Sequence, residues 1–315
     1  MHVKKVGLLI VLVICLLGCQ SQKKAEPIEI SKNYKVAEKL DFEIIKSEVV
    51  KEIAPSNKNK TFNHLVPKSH DNIFVDLVMK MTNLSEKEIT LKEAVSGHYK
   101  INKQTYDVMT AIETINYNQM SQTDTLKTNE GRYVHLYCEL PEEQIKDEAT
   151  VELKILNQDE FVYTFETTQK IENNNAKSLG DVITLKNSQM TLNHISQSNK
   201  VEPSNKGFFY SYYPTENENE TFVILQIDLK NTTDSTIDPK DYLYCEYQIQ
   251  NKKYESMIVL ESENHKSLSK TGKIESLQTR TLYLAMAVKN EDLKQEGKIH
   301  LFVEGNNFEI DNYSE

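Results

Sequence analysis

Two eight-residue stretches decide the fold class of this chain: FVDLVMKM at residues 74–81 and FVILQIDL at residues 222–229. In the first stretch Val75, Leu77 and Met79 occupy every second position, and apolar residues occupy the same alternate positions in the second. A period of two places alternate side chains on one face of a β-strand, whereas a helix would scatter them around its circumference. Both stretches therefore predict half-buried strands that turn the same face to a core.

The two stretches belong to a repeat that covers most of the chain. At a shift of 148 positions, eleven of the forty residues from Phe74 to Glu113 are identical to their partners. The segment PSNK at residues 55–58 recurs at residues 203–206, and the alternating patterns at residues 134–140 and 151–155 recur as well. A period of this length exceeds the roughly 20 to 50 residues of a solenoid unit. The sequence therefore predicts a duplicated domain.

Turn signals occur where such strands would reverse. Short polar breaks at residues 102–104 and 250–252 interrupt apolar and aromatic runs and predict hairpins. Asn83 and Asn231 follow the strongest strand of each copy and suit turns in which a side chain bonds its own backbone. The sequence has no sustained helical period with caps at both ends. We predict an all-β protein made of two antiparallel β-sandwiches.

Composition predicts where these parts begin and end. The segment before the first sandwich, residues 20–40, is polar and lysine-rich, and the region between the copies contains three consecutive asparagines at positions 173–175. Such segments are typical of tethers and linkers. We predict a signal peptide at 1–18, a lipidated start and flexible tether at 19–40, sandwiches at 41–167 and 181–311, a linker at 168–180 and a tail at 312–315.

The start of the chain predicts its location. Lys4 and Lys5 precede an apolar run from Val6 to Leu17, and Leu16-Leu17-Gly18-Cys19 has the pattern of a bacterial lipobox. The run has 12 residues, short of the roughly 20 needed to span a bilayer. The pattern predicts cleavage after Gly18 and lipidation of Cys19, which would anchor the protein to the cell membrane on its extracytoplasmic face. The alternative is an ordinary signal peptide with an incidental cysteine.

Charge narrows the choice of partner. Removal of residues 1–18 takes away two lysines and no acid, and so leaves 35 basic against 47 acidic side chains, a formal charge of −12. A phosphate backbone requires a basic face, so we expect no nucleic-acid partner.

Certain segments carry a family resemblance. They are the strand end KNTT at residues 230–233 and the late strands RYVHLYCEL at 132–140 and RTLYLAMAV at 280–288. With the lipobox, they make the chain similar to secreted and lipid-anchored bacterial proteins that share an immunoglobulin-like domain of unknown function with the immunoprotective extracellular protein family. The first copy departs from the pattern at residues 81–84, and the second has residues 276–278 where a glycine is expected. The resemblance implies two tandem immunoglobulin-like sandwiches and supplies no catalytic residues.

Residues able to carry chemistry do not assemble into a catalytic pattern. Cys138 and Cys245 share strand faces with apolar residues, so we predict buried thiols that do not pair. The histidines are dispersed, which disfavours zinc. The acidic stretches at 216–220 and 234–241 lack EF-hand spacing, so we expect solvated edges, with calcium ligation as the alternative. We predict no enzyme activity, cofactor or metal.

The only two arginines, Arg132 and Arg280, occupy equivalent positions of the two copies. A guanidinium can make a planar bidentate contact that lysine cannot. The pair could grip a ligand carboxylate, or each could clamp a glutamate of its own domain. We favour the structural clamp.

An aromatic run at residues 208–213 is the candidate contact surface. It includes Phe209, Tyr210, Tyr212 and Tyr213. In a plain strand about half of these rings would point outward, and exposed tyrosine is common in binding surfaces. The alternative is an edge strand packed under the loop of Pro214.

We therefore predict a non-catalytic binding module that meets an unknown protein or cell-wall ligand. The alternative is a structural spacer or a chaperone-like accessory subunit of an envelope complex.

Overall fold

The computed structural model describes residues 25–59, 61–145, 147–168, 171–172, 175–206 and 210–311. Its regular elements are almost all β-strands, which confirms the predicted fold class. The two short helices are α1 (Leu91–Ala94) and α2 (Pro239–Tyr242). The first-copy strands are β1 (Glu26–Pro27), β2 (Asn33–Val36), β3 (Leu40–Val50), β4 (Asn72–Asn83), β5 (Ile89–Thr90), β6 (Val95–Ile101), β7 (Gln104–Asp107), β8 (Met109–Glu113), β9 (Met120–Ser121), β10 (Thr125–Leu126), β11 (Gly131–Pro141), β12 (Glu148–Ile155), β13 (Asp159–Glu166) and β14 (Ile171–Glu172). The second-copy strands are β15 (Asn175–Lys177), β16 (Val182–Thr184), β17 (Ser188–Ser198), β18 (Lys200–Val201), β19 (Tyr213–Pro214), β20 (Glu220–Asn231), β21 (Leu243–Ile249), β22 (Lys252–Glu261), β23 (Leu268–Ser269), β24 (Thr279–Lys289), β25 (Lys298–Val303) and β26 (Asn306–Asp311).

Each copy forms a sandwich with the strand order of an immunoglobulin-type domain. In the first, β3, β4, β11 and β8 are neighbours in one sheet, and β13, β12, β6 and β7 are neighbours in the other. This is the A-B-E-D and G-F-C order of that fold, with β7 as an added strand. In the second, β22 continues from one sheet into the other because it pairs with β21 through its first half and with β24 through its second.

The two copies correspond strand by strand along the sequence. The strands β3, β4, β6 and β11 and helix α1 begin and end 148 positions before β17, β20, β21, β24 and α2. Even a local irregularity recurs, because the pairing register slips between Ile44 and Lys46 in one copy and between Leu192 and His194 in the other. The duplication seen in the sequence is therefore a duplication of the fold.

Each core lies between its two sheets. The first is built from apolar residues between Ile28 and Phe165, and the second from apolar residues between Ile183 and Ile310. Alternate residues such as Val75, Leu77 and Met79 are fully buried in the first core, as the period of two predicts. Within the described residues, both cores are thus contained in the range 28–310.

The structure differs from the predicted tether over residues 26–36. Strand β1 runs parallel to β13, and β2 pairs with β3. Ile28, Tyr34 and Val36 are buried in the first core, while Lys35 faces solvent. The alternation in this segment spans only four residues, which is too short for composition to separate it from a polar linker. The first sandwich therefore begins near residue 26 and not at Asp41.

The predicted linker also contains paired strands. Strand β14 pairs with β3 of the first sandwich, and β15 pairs in parallel with β26 of the second. Pro27 of β1 and Asn175 of β15 are 148 positions apart, so both copies start with a strand laid parallel to a late strand of the same sandwich. Only two positions, 173 and 174, separate β14 of one sandwich from β15 of the next.

The predicted asparagine turns are confirmed. Asn83 Nδ2 donates to the carbonyls of Lys87 (2.7 Å) and Leu126 (2.8 Å), and its Oδ1 accepts the Ser85 amide at 2.9 Å. Asn231 makes the equivalent bonds in the second copy. Both side chains are fully buried, so each replaces backbone pairing where its strand ends.

Candidate functional site: the cleft between the two sandwiches

The two sandwiches pack against each other through the outer faces of two sheets. Ile45, Val78 and Tyr133 point outward from β3, β4 and β11, and Tyr244 and Phe302 point outward from β21 and β25. These five residues and the partly buried Tyr117 form what we call the interface cluster. Its rings meet edge to face, with centroids 5.2 Å apart for Tyr117 and Phe302 and 6.1 Å apart for Tyr133 and Phe302. This geometry is favourable for aromatic pairs.

Hydrogen bonds to the backbone of the second sandwich surround the interface cluster. The Tyr133 hydroxyl donates to the Gly305 carbonyl at 2.9 Å, and Lys80 Nζ donates to the same oxygen at 3.2 Å. Gly305 has a φ of 73°, and a β-carbon on it would lie 2.3 Å from the Tyr117 hydroxyl oxygen. The turn needs glycine both for its backbone conformation and for this close approach.

A comparison of the two copies explains why they meet in only one way. The first copy carries Ile45, Val78 and Tyr133 where the second has Asn193, Gln226 and Thr281. The second copy carries Tyr244 and Phe302 where the first has Ser96 and Lys154. The apolar residues are buried at the interface, whereas their polar equivalents are half-buried or exposed. At these positions, each copy thus carries apolar residues only on the face that it uses in the contact.

A cleft of about 610 Å³ lies next to the interface cluster. One wall comes from β3 and the loop after it, and the other comes from β21, β22, β25 and β26. Ile45, Tyr133, Tyr244 and Phe302 of the interface cluster are among the residues that line it. Its volume is within the roughly 300 to 1,000 Å³ of small-molecule sites, which commonly lie between domains.

Two ion pairs neutralise most of the charge in the cleft. Lys46 Nζ lies 2.6 Å from Glu48 Oε1 on the first wall, and Lys253 Nζ lies 2.6 Å from Glu246 Oε1 on the second. The Tyr244 hydroxyl is 3.0 Å from Glu246 Oε2. Burial and the nearby carboxylates of Glu246 and Glu255 raise the pKa of Tyr244 far above its usual value, so this phenol remains neutral.

Lys58 is the exception among the lysines that line the cleft. Within the described residues, its ammonium has no hydrogen bond and no ion pair, although the side chain is half-buried. Burial lowers the pKa of Lys58, and the nearby Lys253 lowers it further. The flanking residues hold Lys58 in place, because the side-chain amide of Asn57 donates to the Lys240 carbonyl at 3.1 Å and that of Asn59 donates to the Leu243 carbonyl.

The loop that carries Lys58 is fixed by a buried charged network. Glu113 Oε1 accepts hydrogen bonds from the Ser56 amide at 3.1 Å and from the Ser56 hydroxyl at 2.8 Å. His135 Nε2 lies 3.1 Å from the same oxygen, and His135 Nδ1 lies 2.8 Å from Asp76 Oδ2. Burial alone would lower the pKa of His135, but the two carboxylates outweigh it and raise the pKa to about 9. The imidazole is therefore a buried cation at neutral pH.

The second copy keeps the carboxylate of this network and its bond to a serine amide, and changes the other partners. Glu261, the equivalent of Glu113, accepts hydrogen bonds from the Ser204 amide at 2.6 Å and from the Tyr283 hydroxyl at 2.9 Å. His265 Nδ1 lies 2.5 Å from its other carboxylate oxygen. Ile224 and Tyr283 stand where the first copy has Asp76 and His135. Sequence reasoning missed the network, but two repeated features pointed to it: the PSNK segment and the pair Glu113 and Glu261.

The structure places both arginines inside their own sandwiches. Arg132 Nε donates to the Glu113 carbonyl at 2.5 Å, and its guanidinium also lies 3.1 Å from Asp124 and 3.2 Å from Glu130. Arg280 Nε donates to the Glu261 carbonyl at 3.0 Å. Each arginine thus holds the equivalent glutamate residue by its backbone, which is the geometry of a structural clamp. Arg132 is only 3% exposed, so a ligand cannot reach its guanidinium.

Cys138 and Cys245 are buried and unpaired in the part of the chain that the structure describes. Burial raises the pKa of Cys138 to about 12 and raises that of Cys245 far above its usual value. The thiolate is the reactive form, so neither residue is a nucleophile at neutral pH. In the described residues, no group of three or more metal-ligating side chains is placed to hold a metal ion.

The predicted aromatic surface is described only from residue 210 onward, so Phe209 lies outside the described residues. Tyr212 is 50% exposed, with Lys200 Nζ 5.2 Å from its ring centroid. Tyr213 is half-buried in β19, and the Tyr210 hydroxyl donates to Glu202 Oε1 at 2.7 Å. The structure thus brings Tyr210 and Tyr212 together on the second sandwich, outside the residues that line the cleft.

The lipobox, from Leu16 to Cys19, also lies outside the described residues. In the part of the chain that is described, neither helix is long and apolar enough to cross a bilayer.

The fold and the cleft define a two-domain β-sandwich protein. No protein-family model matches the chain, and no curated protein is significantly similar to it in sequence. An uncharacterized β-sandwich protein from Clostridium difficile is 22% identical over 46% of this chain and 99% of its own, with a TM-score of 0.41. A conserved hypothetical protein from Bacillus anthracis is 12% identical over 42% of this chain and 93% of its own, with a TM-score of 0.31. The fold assignment therefore rests on the strand order described above.

Proposed function

We propose that the protein is an extracytoplasmic lipoprotein, anchored through Cys19, that binds a ligand without chemical change. The lipobox supports the anchor, and the strand order is consistent with the resemblance to immunoglobulin-like domains of the immunoprotective extracellular family. A single observation carries the binding role: a cleft of about 610 Å³ between two sandwiches, lined by both.

The anchor and the fold together limit where the cleft lies. Glu26, where the first paired strand begins, is seven residues after Cys19 in the sequence. Even a fully extended chain spans at most about 3.6 Å per residue, or about 25 Å over this segment. The first sandwich would thus stay close to the bilayer surface, and the cleft would face ligands within the cell envelope.

The non-catalytic part of the proposal rests on burial. His135, Asp76 and Glu113 have the residue types of an acid-base site, but each is at most 1% exposed. A general base must approach the proton that it removes to within hydrogen-bonding distance, and no substrate can reach these atoms without unfolding the sheet. We therefore assign this network to holding the loop of Lys58.

The anchor is tested by metabolic labelling with a fatty acid. Labelled protein is expected from the natural chain and from Cys138→Ser, and none from Cys19→Ser, because only Cys19 follows the lipobox. A natural chain that stays unlabelled would contradict the anchor and leave the cleft unaffected.

The binding role is tested with two tryptophan variants of the chain from Gln20 onward. Both cores lie within residues 28–310, so this chain contains the residues that form them. Gln248 lines the cleft, so Gln248→Trp places an indole ring in it, while Gln197→Trp adds the same ring at an exposed strand position. Immobilised natural chain and Gln197→Trp are expected to retain the same component of an envelope extract, and Gln248→Trp to lose it. Equal retention by all three would refute the cleft as the binding site.

A second function, that of a rigid spacer, is favoured by the interface cluster and by the two-position connection between the sandwiches. Small-angle scattering separates the two functions. Tyr133→Thr gives the first sandwich the residue of the second at this position of the interface. If the protein is a spacer, this variant should lose its cellular function whenever scattering shows that the fixed arrangement of the sandwiches is lost. Replacing Phe209, Tyr210 and Tyr213 by alanine together tests the aromatic surface instead.

A further inference from the structure

We propose that the cleft binds a compact organic monocarboxylate, with its carboxylate on Lys58 and its apolar or aromatic body against the half-buried apolar residues that line the cleft. This inference rests on the proposed binding function and specifies the chemistry of the ligand. The inference depends on a difference between the two copies, at Ala54 in the first and Glu202 in the second.

In the second copy, the lysine of the PSNK segment has an internal counter-ion. Lys206 Nζ lies 2.6 Å from Glu202 Oε2, four residues earlier in the chain. In the first copy the equivalent lysine is Lys58, and the equivalent of Glu202 is Ala54. The carboxylate that neutralises this lysine in one sandwich is thus missing from the other.

The missing carboxylate leaves space inside the cleft. Ala54 and Lys58 both line the cleft. A half-buried ammonium with no hydrogen-bond acceptor has lost part of its hydration without replacement, so an incoming anion gains a charge-assisted hydrogen bond. The ligand carboxylate would take the place that the Glu202 side chain occupies in the second sandwich.

The rest of the cleft selects for a single negative charge. Glu48, Glu52 and Glu246 also line it. Glu48 and Glu246 are each paired with a lysine and Glu52 lies 3.3 Å from His64, so among the described lysines of the cleft Lys58 is left for the ligand. A second charge on the ligand would meet these carboxylates at short range, and like charges repel strongly in a partly desolvated site. A phosphate dianion or a dicarboxylate is therefore disfavoured.

The body of the ligand is set by the apolar residues that line the cleft. Val49 and Val50 follow Lys46 and Glu48 on the first wall and are half-buried, so part of each side chain is open to the cleft. The rings of Tyr133, Tyr244 and Phe302 lie beneath this surface, each at most 6% exposed, and Tyr244 remains a neutral phenol. Apolar groups gain by burial against such a surface. Lys58 is the specificity-determining residue in this arrangement, because it distinguishes a carboxylate from its neutral analogue.

Two fluorescent probes of the same shape test the inference. Dansylglycine carries an aromatic body and one carboxylate, and dansylglycinamide replaces the carboxylate by a neutral amide. We expect the chain from Gln20 to bind one dansylglycine and to bind the amide roughly tenfold to a hundredfold more weakly, the range for a charge-assisted hydrogen bond. Lys58→Met is expected to remove this preference by weakening dansylglycine binding to the level of the amide.

Ala54→Glu is the sharper variant, because it restores the internal counter-ion of the second sandwich. It should weaken dansylglycine by a similar factor, while Lys206→Met, at the equivalent lysine, should change neither probe. Circular dichroism checks that each variant is folded, and either Lys58→Met or Ala54→Glu alone suffices if the other does not fold.

The possible failures can be told apart. Equal affinity for both probes in the natural chain, unaffected by Lys58→Met, would overturn the monocarboxylate inference and leave binding in the cleft intact. Binding of neither probe would also overturn it, while the envelope capture with Gln248→Trp would still decide the binding role. Probe binding that persists in Gln248→Trp would place the probe outside the cleft and overturn the inference, with the binding role again decided by the capture.

Discussion

The buried network of His135 makes a quantitative prediction about pH. The folded chain raises the pKa of His135 from 6.5 to about 9. At about 1.4 kcal/mol per pKa unit, this shift corresponds to about 3 kcal/mol of stability. Because the folded pKa is the higher one, the contribution is complete below pH 6.5 and is lost as the pH rises through 9. Above that pH, a neutral imidazole can donate only one hydrogen bond between two buried carboxylates.

The second sandwich supplies the control for this prediction. The double variant Asp76→Ile with His135→Tyr gives the first sandwich the residues Ile224 and Tyr283 of its partner, where the tyrosine donates to the shared glutamate at 2.9 Å. Urea unfolding followed by far-ultraviolet circular dichroism is measured from about pH 6 to about pH 10 for both chains. The natural chain should lose about 3 kcal/mol relative to the variant across this range. A difference in unfolding free energy that stays constant within about 0.5 kcal/mol would refute the assignment of a protonated His135.

The packing makes three further predictions. Gly305→Ala should weaken the contact between the sandwiches by about 2 kcal/mol because it adds an atom against Tyr117. Gly180→Ala, with a φ of 91° and nothing within 4 Å, should cost about 1 kcal/mol of backbone strain alone. Limited proteolysis between the sandwiches should be faster for the first variant than for the second. Asn231→Ala should destabilise the second sandwich by about 2 to 4 kcal/mol in urea, since several buried backbone groups lose their partner, and a loss under about 0.5 kcal/mol would contradict this role. Cys138 and Cys245 should resist a thiol reagent at about pH 8 in the folded chain and react only after unfolding; rapid labelling of either in the native state would contradict their burial.

The sequence was sufficient to predict the strands because their signal is repeated. Alternation in one copy is supported by alternation in the other, and the buried Asn83 and Asn231 marked the strand ends twice. Short strands lacked such support. The segment around Tyr34 was predicted as tether because it is polar and lysine-rich, and its equivalent near Val182 differs in sequence, so the comparison of the copies gave no signal there.

The cleft could not be predicted for a different reason. Its walls belong to different sandwiches, and no pattern within one copy shows how two sheets will meet. The information was present instead in the differences between the copies. Tyr133 against Thr281 marks a contact between the sandwiches, and Ala54 against Glu202 marks the position that we propose for a ligand carboxylate. Identities between the copies predicted the fold, and differences between them point to the candidate site.

The polar substitutions on the two outer faces have a consequence for assembly. The first sandwich contacts the second through a different face from the one that the second uses. If the two copies were identical, each would leave the unused one of these faces apolar and open at an end of the pair. Such a contact does not close on itself, so further molecules could add without limit and form a fibre. Asn193 and Thr281 at one end, with Ser96 and Lys154 at the other, make both ends polar. The divergence of the copies thus disfavours the addition of further molecules at either end of the pair.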